Sequence, residues 1–160
     1  MKKAFFALAT LLICLNANAG ASGSNYLVIA EESKSTYSRS EFKHWSDLDN
    51  DKCDTRAEVL LQEAVIEPKV GKNCKLSGGR WVSMYDGKVF TDASKLDVDH
   101  LVPLAEAWRS GASEWSLKLR EEFANDLDEN LALNAVSASS NRQKGDKDIA
   151  KWLPSKNLCI

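Results

Sequence analysis

The sequence predicts a mixed α+β fold built as a single domain. Residues 80–85 and 131–136 are short apolar runs, which are typical of strands. Residues 56–64 and 113–127 repeat their apolar side chains every three or four positions, as amphipathic helices do. A chain of 160 residues is long enough to bury one core and too short to require a second domain.

The first residues have the pattern of a secretory signal peptide. Lys2 and Lys3 precede an almost wholly apolar run at residues 4–15, and an A-x-A cleavage pattern ends at Ala19. The apolar run is shorter than a membrane-spanning helix. We therefore expect residues 1–19 to be removed. A single secreted domain, 20–160, would then remain in the periplasm or outside the cell, without a membrane span and as a monomer.

The net charge shows that the chain is not strongly basic. The formal charge is −2, and removal of Lys2 and Lys3 would take it to −4. A nucleic-acid-binding protein of this composition must therefore use a local basic patch rather than an overall positive field.

The first half of the mature chain contains a predicted helix, a hairpin turn and three strands besides the loop at 33–40. Thr55 is placed to cap the helix at 56–64, and Glu58 follows it at capping-box spacing. Asp86-Gly87 predicts a hairpin turn. The remaining segments are strands, namely 26–30, 80–85 and 89–91.

The second half alternates strands and helices. Pro103 suits the first turn of a helix that runs to Trp108, and Ser137 suits the cap of a helix that runs to Lys144, where Gly145 ends it. The other predicted segments are a strand at 96–102, one long helix at 113–127, a strand at 131–136 and one or two helical turns within 148–153.

Cysteine usage agrees with export. Once Cys14 leaves with the signal peptide, three cysteines remain, and their spacing matches no zinc motif. We expect Cys53 to pair with Cys74, which closes a loop around the helix at 56–64 and stabilises the fold by roughly 3 kcal/mol. Cys159 would stay free or pair outside the domain. Without export, all three would be buried thiols.

Histidine is scarce, because only His44 and His100 occur. A three-histidine zinc centre is therefore excluded, and neither G-x-S-x-G nor a phosphate-binding glycine loop is present. Asp99 and His100 are adjacent at the end of a predicted strand, where one could bind a metal and the other accept a proton. Neighbouring strand residues point to opposite faces unless the backbone bends, so the pair also fits a merely polar strand end.

Three motifs connect Asp99-His100 to a known family. D-H-L-V-P-L at 99–104 is followed by A-E-A-W-R-S-G-A at 105–112, by an N-x-x-L pattern from Asn130 and by N-R-Q-K-G at 141–145. Together they resemble the HNH (His-Asn-His) endonucleases, and most closely their secreted bacterial members. The segments around Cys53 and Cys74 fit the same group, so the resemblance covers about 53–154.

The resemblance implies a ββα-metal core at about 96–148. In it, His100 matches the general base, Asp99 and Asn141 match the metal ligands, and Asn130 matches the residue that orients the histidine. Asn134 and Asn125 are rivals for that last role. The commonest HNH form has histidines where this chain has Asp99 and Asn141. Oxygen ligands favour Mg²⁺, with Mn²⁺ or Ca²⁺ as substitutes, over Zn²⁺.

Basic residues near Asn141 are predicted to contact phosphates. Arg142, Lys144 and Lys147 follow it directly, and Arg109 could add a further contact. An ordinary solvated face is the alternative, because Asp146 and Asp148 are interleaved. The sequence thus predicts a secreted metal-dependent endonuclease with little sequence specificity that acts on DNA rather than RNA. A secreted RNase, or a binding domain with a structural cation, are the alternatives.

Overall fold

The computed structural model describes residues 31–129 and 131–155. The predicted signal peptide, the strand at 26–30, Asn130 and Cys159 lie outside the described residues. The described chain has the predicted mixed α+β fold, which combines short helices with three two-stranded antiparallel sheets. Its strands are β1 (Lys69–Val70), β2 (Leu76–Ser77), β3 (Trp81–Val82), β4 (Val89–Phe90), β5 (Leu96–His100) and β6 (Leu133–Ser137), and its helices are α1 (Thr55–Gln62), α2 (Leu104–Arg109), α3 (Leu117–Ala124) and α4 (Ala138–Lys144).

The longest sheet is formed by β5 and β6. Leu96 pairs with Ser137, and the register continues without interruption to His100 opposite Leu133. Along β5, Leu96 and Val98 are buried and join the core that β6 and α1 supply. Because strand residues alternate in direction, Asp97 and Asp99 lie on the other face. Both strands also contact α4, which begins at the residue after β6 ends.

The cap of α1 differs from the prediction. Asp54, and not Thr55, is the cap, because its side chain accepts a hydrogen bond from the Ala57 amide at 2.8 Å. Thr55 is the first helical residue and is buried. Its hydroxyl lies 2.9 Å from the Ser46 carbonyl and 2.8 Å from Asn125 Oδ1. It therefore links α1 to the end of α3.

The long helix predicted at 113–127 is wrong as one element. A 3-10 turn at Ala112–Glu114 comes first, and α3 then starts anew after Ser116, whose hydroxyl accepts from the Leu119 amide at 3.2 Å. A side chain that caps a helix fixes its start, so the serine divides the apolar repeat. Leu119 is 44% exposed, which shows that the repeat did not define a buried face there.

The hairpin and the disulfide are confirmed. Trp81 pairs with Phe90 across the turn that contains Gly87 (φ +70°), although β3 is shorter than the predicted strand. Cys53 is bonded to Cys74 with 5.0 Å between their Cα atoms. The bridge ties the start of α1 to the short β1–β2 sheet. Among the described residues, no helix has the length and apolar composition that crossing a membrane requires.

Candidate active site

A cleft of about 340 Å³ opens where β5 ends and α2 begins. It brings together Asp99, His100 and Asn141, the three residues predicted to carry the chemistry. Their proximity follows from topology, because α4 leaves β6 directly and packs back against both strands of the sheet. The other polar side chains that line the cleft are Tyr37, Arg39 and Asp146.

His100 is buried, with 5% of its surface exposed. Its Nε2 lies 2.9 Å from the carbonyl oxygen of Ala124 at the end of α3. Because a carbonyl oxygen can only accept, Nε2 carries the hydrogen and Nδ1 is left as the basic nitrogen. The Trp45 ring stacks on the imidazole, with 5.6 Å between ring centroids and 26° between planes. The ring is thereby fixed in both orientation and tautomer.

Burial lowers the pKa of His100 from 6.5 to about 4. The hydrogen bond to Ala124 and the charge of Asp99 act in the opposite direction, but burial dominates because it disfavours the charged imidazolium. At neutral pH the ring is therefore neutral, which is the form that can accept a proton from water.

This shift predicts that His100 makes folding stability pH-dependent. Below about pH 6.5 the unfolded chain takes up a proton that the folded chain resists down to about pH 4, so stability is lost as the pH falls. Between neutral pH and about pH 4, wild type should lose about 3 kcal/mol more than His100→Gln, measured by urea unfolding in EDTA. Parallel pH curves for the two proteins would contradict the assigned shift.

The carboxylate of Asp99 sits in a buried hydrogen-bond network. Its Oδ2 accepts from the Tyr85 hydroxyl at 2.6 Å and from the Lys144 ammonium at 2.7 Å. Burial raises the pKa of Tyr85, and the neighbouring Asp99 charge raises it further, so the phenol remains a donor. The Lys144 side chain is only 4% exposed and also donates to the His100 carbonyl at 2.8 Å.

Lys144 was predicted to contact phosphate, and the structure places it elsewhere. Its ammonium points inward and is engaged by Asp99 and His100, so it is not available to a nucleic acid in this structure. Helix periodicity explains the burial. Lys144 follows Asn141 by three residues and therefore lies on the face of α4 that packs against the sheet.

Asp99 and His100 point to opposite faces of β5, which runs regularly to His100 without the bend that would have aligned them. Asp97 shares the face of Asp99, and its Oδ2 accepts from Asn141 Nδ2 at 3.1 Å. Sequence reasoning did not assign Asp97 a role. The two-residue spacing within D-V-D was the signal that could have found it.

The asparagine predictions have different outcomes. Asn130 lies outside the described residues. Asn134 is fully buried opposite Asp99, and its Nδ2 donates to the Leu131 carbonyl at 2.6 Å, which holds the loop before β6. Asn125 donates to the Lys43 and Glu121 carbonyls and so joins α3 to the preceding segment.

The remaining basic residues differ in availability. Arg109 is surrounded by carboxylates, with Glu106 at 2.5 Å, Asp146 at 3.1 Å and Glu32 at 3.4 Å. The hydrogen bond that Arg109 donates to Glu106 is the main reason why the pKa of Arg109 is raised. These ion pairs compete with the predicted phosphate contact. Arg142 and Lys147 are exposed on and just beyond α4, where a phosphate could reach them.

Asp86 is a second residue that the sequence did not assign to this region. Its carboxylate accepts from the Ser137 hydroxyl at 2.7 Å and the Ser140 hydroxyl at 3.1 Å. Burial works to raise the pKa of Asp86, but hydrogen bonds from Ser137, Lys88 and Ser83 outweigh it and hold the pKa far below its usual range. The hairpin turn is thus fastened to the start of α4.

Comparison with known proteins places this arrangement in a family. The family model described as GmrSD restriction endonucleases, C-terminal domain, matches residues 51–158, which include the sheet, α4 and the disulfide. The chain belongs to this family. Membership in the GmrSD C-terminal domain family supports a nuclease-related function and, with it, contact with nucleic acid.

A curated relative from the fungus Arthroderma benhamiae is described as an uncharacterized secreted protein. It is 42% identical over 118 residues, which are 74% of this chain and 56% of the relative. The chain therefore spans just over half of that relative's length. The resemblance had pointed to bacterial proteins, whereas this relative is fungal. No solved structure matches the chain.

Proposed function

We propose that this protein is a secreted endonuclease of the HNH type that hydrolyses phosphodiester bonds with the help of a divalent cation. DNA is the preferred substrate, with little sequence specificity. The observation that carries the proposal is the state of His100. It is a buried neutral imidazole whose Nε2 is bonded to Ala124, and it lines a cleft together with Asp99 and Asn141.

His100 is the general base in this proposal. Its Nδ1 takes a proton from water, the water oxygen forms a bond to phosphorus, and the bond from phosphorus to the leaving oxygen breaks. The leaving oxygen takes up a proton from solvent. A histidine whose pKa lies below neutrality is unprotonated before each turnover, so no prior deprotonation is needed.

The chemistry of the donors fits a hard divalent cation. Asn141 donates through Nδ2 to Asp97, which leaves its carbonyl oxygen Oδ1 as a ligand. Asp99 engages Tyr85 and Lys144 through Oδ2, so Oδ1 is the oxygen that it can offer. Two oxygen ligands suit Mg²⁺, with Mn²⁺ or Ca²⁺ as substitutes, since Mg²⁺ usually keeps several waters and takes a substrate phosphate. Such an ion would stabilise the charge on the phosphate oxygens.

Lys144 tunes this site rather than binding substrate. Its positive charge offsets the negative charge of Asp99, which weakens the attraction of this carboxylate for a cation. A bound phosphate would add negative charge and oxygen ligands, and would thereby strengthen cation binding. Within the core at about 96–148, Asn134 is in this proposal the asparagine that holds the loop before β6. It does so by donating to the Leu131 carbonyl.

Three features support export. The pattern at 1–19 is that of a signal peptide, and the fungal relative is described as secreted. The Cys53–Cys74 bridge also suits an oxidising compartment. We therefore place the protein outside the cytoplasm, in the periplasm or in the medium, and as a monomer.

The direct test is digestion of supercoiled plasmid and of RNA by the purified protein. We expect Mg²⁺ to support cutting of plasmid faster than RNA, and EDTA to abolish it. Asn141→Ala should lose activity, whereas Gln143→Ala, an exposed neighbour on α4, should keep it. If neither substrate is cut with Mg²⁺ or Mn²⁺, the nuclease proposal is wrong. Cutting of RNA alone would show that the protein is an RNase. Unchanged cutting in EDTA would show that the reaction needs no divalent cation.

A further inference from the structure

Arg39 lies at the cleft without being part of the matched family domain. It belongs to a 3-10 turn at Arg39–Glu41, ahead of residues 51–158. Among the described residues that line the cleft, it alone carries a positive charge, whereas Asp99 and Asp146 carry negative charges. A polyanion that enters this cleft therefore meets one cation at its wall.

Packing on both sides fixes the turn that carries Arg39. Phe42 is 1% exposed and packs against Leu104 and Trp108 of α2. Farther along, Trp45 stacks on His100. The segment is thus anchored to α2 and to the candidate base, and the position of Arg39 relative to the cleft follows from these contacts.

The guanidinium is oriented but remains accessible. Arg39 is exposed, and its Nε donates to His44 Nε2 at 3.2 Å. His44 can accept there because its Nδ1 donates to the Phe42 carbonyl at 2.8 Å, which leaves Nε2 as the acceptor. A guanidinium has five N–H donors, so donors remain for a ligand beside this bond and the contact with the Tyr37 hydroxyl.

Two other cations near the cleft are engaged by acidic groups. Lys144 is paired with Asp99, and Arg109 with three carboxylates. Arg39, by contrast, forms no ion pair within the part of the chain that the structure describes. An arginine with its fork unpaired presents the geometry that binds two phosphate oxygens at once.

We propose that Arg39 is a substrate-binding residue that holds a backbone phosphate of the nucleic acid in the cleft, an inference that rests on the proposed nuclease function. The segment ahead of the family domain then completes the site. Without it, none of the described residues that line the cleft carries a positive charge. His44 acts as a positioning residue because it orients Arg39.

The test measures the affinity for a short, fluorescently labelled DNA duplex in EDTA. Fluorescence anisotropy reports the binding at several salt concentrations. We expect Arg39→Gln to weaken binding about tenfold. The slope of log affinity against log salt concentration should fall in magnitude by about one, as the loss of one phosphate contact predicts. The affinity of Arg39→Lys should lie between those of wild type and Arg39→Gln, because lysine keeps the charge and loses the two parallel N–H donors of the guanidinium. Lys43→Gln is the matched control, since it removes one charge from the same segment at a side chain paired with Glu121.

The outcomes separate the two proposals. If wild type neither binds nor cuts nucleic acid, the nuclease function fails and the role of Arg39 fails with it. If wild type binds and cuts while Arg39→Gln behaves like Lys43→Gln in affinity and salt slope, only the role of Arg39 is wrong. Selective weakening by Arg39→Gln, with a reduced slope, supports it.

Discussion

Replacing Lys144 by methionine is expected to lower the free energy of unfolding by about 4 kcal/mol. The Lys144 and Asp99 side chains are 4% and 12% exposed, so the substitution leaves a carboxylate almost out of contact with water and supported by Tyr85 alone. An unpaired buried charge costs more than the pair contributed, because its desolvation is no longer compensated. Urea unfolding at neutral pH, followed by far-UV circular dichroism, measures the change.

Two further variants make this experiment specific. Lys147→Met removes an exposed lysine just beyond the same helix, which donates only to the Gln143 and Lys144 carbonyls, and should cost no more than about 1 kcal/mol. Asp99→Asn combined with Lys144→Met removes both charges and should recover part of the loss. A loss in Lys144→Met no larger than that in Lys147→Met would show that the ion pair is not buried in solution.

The Lys144 contacts also explain how a site can form from residues on opposite faces of a strand. Its ammonium bonds to the Asp99 carboxylate and to the His100 carbonyl, so α4 holds the end of β5 at two points. Asn141, one turn earlier, adds a third contact through Asp97. Helix α4 therefore fixes the backbone at the end of β5. From this backbone, the candidate base His100 and the candidate cation ligand Asp99 point in opposite directions.

Local sequence signals predicted the parts of this protein that depend on local interactions. Asp86-Gly87 indicated the hairpin, and Ser137 with Gly145 indicated the two ends of α4, because turn and cap preferences act within a few residues. The pairing of Cys53 with Cys74 was also predictable, since Cys14 lies in the predicted signal peptide and Cys159 lies far from both in the sequence.

The predictions of the α1 cap and of an exposed Lys144 were wrong because contacts with distant residues determine both features. Thr55 and Asp54 are both good caps, and the choice between them depended on the distant partners Ser46 and Asn125. Lys144 was read as a surface charge because charged residues are mostly exposed. Its burial depends on Asp99, which lies 45 positions earlier in the sequence. The signal available was periodicity, which puts Lys144 on the helix face of Asn141.

His100→Ala is expected to lower kcat on plasmid DNA by about a thousandfold while KM changes little. The reason is that Nδ1 acts only on the attacking water, whereas substrate binding falls to other groups such as Arg39. Rates should be measured with saturating Mg²⁺. Binding of DNA in EDTA should remain close to wild type, which separates a lost base from a lost binding site.

His100→Gln is the sharper variant, because the glutamine amide can still donate to the Ala124 carbonyl as Nε2 does, yet has no basic nitrogen. It should fold with near wild-type stability at neutral pH and be as inactive as His100→Ala. Added imidazole should restore activity to His100→Ala, where the removed ring leaves space beside Trp45, and not to His100→Gln, where the side chain fills it. Full activity in the glutamine variant would show that the role of His100 is to hold α3 against β5, and that the water is activated by another group.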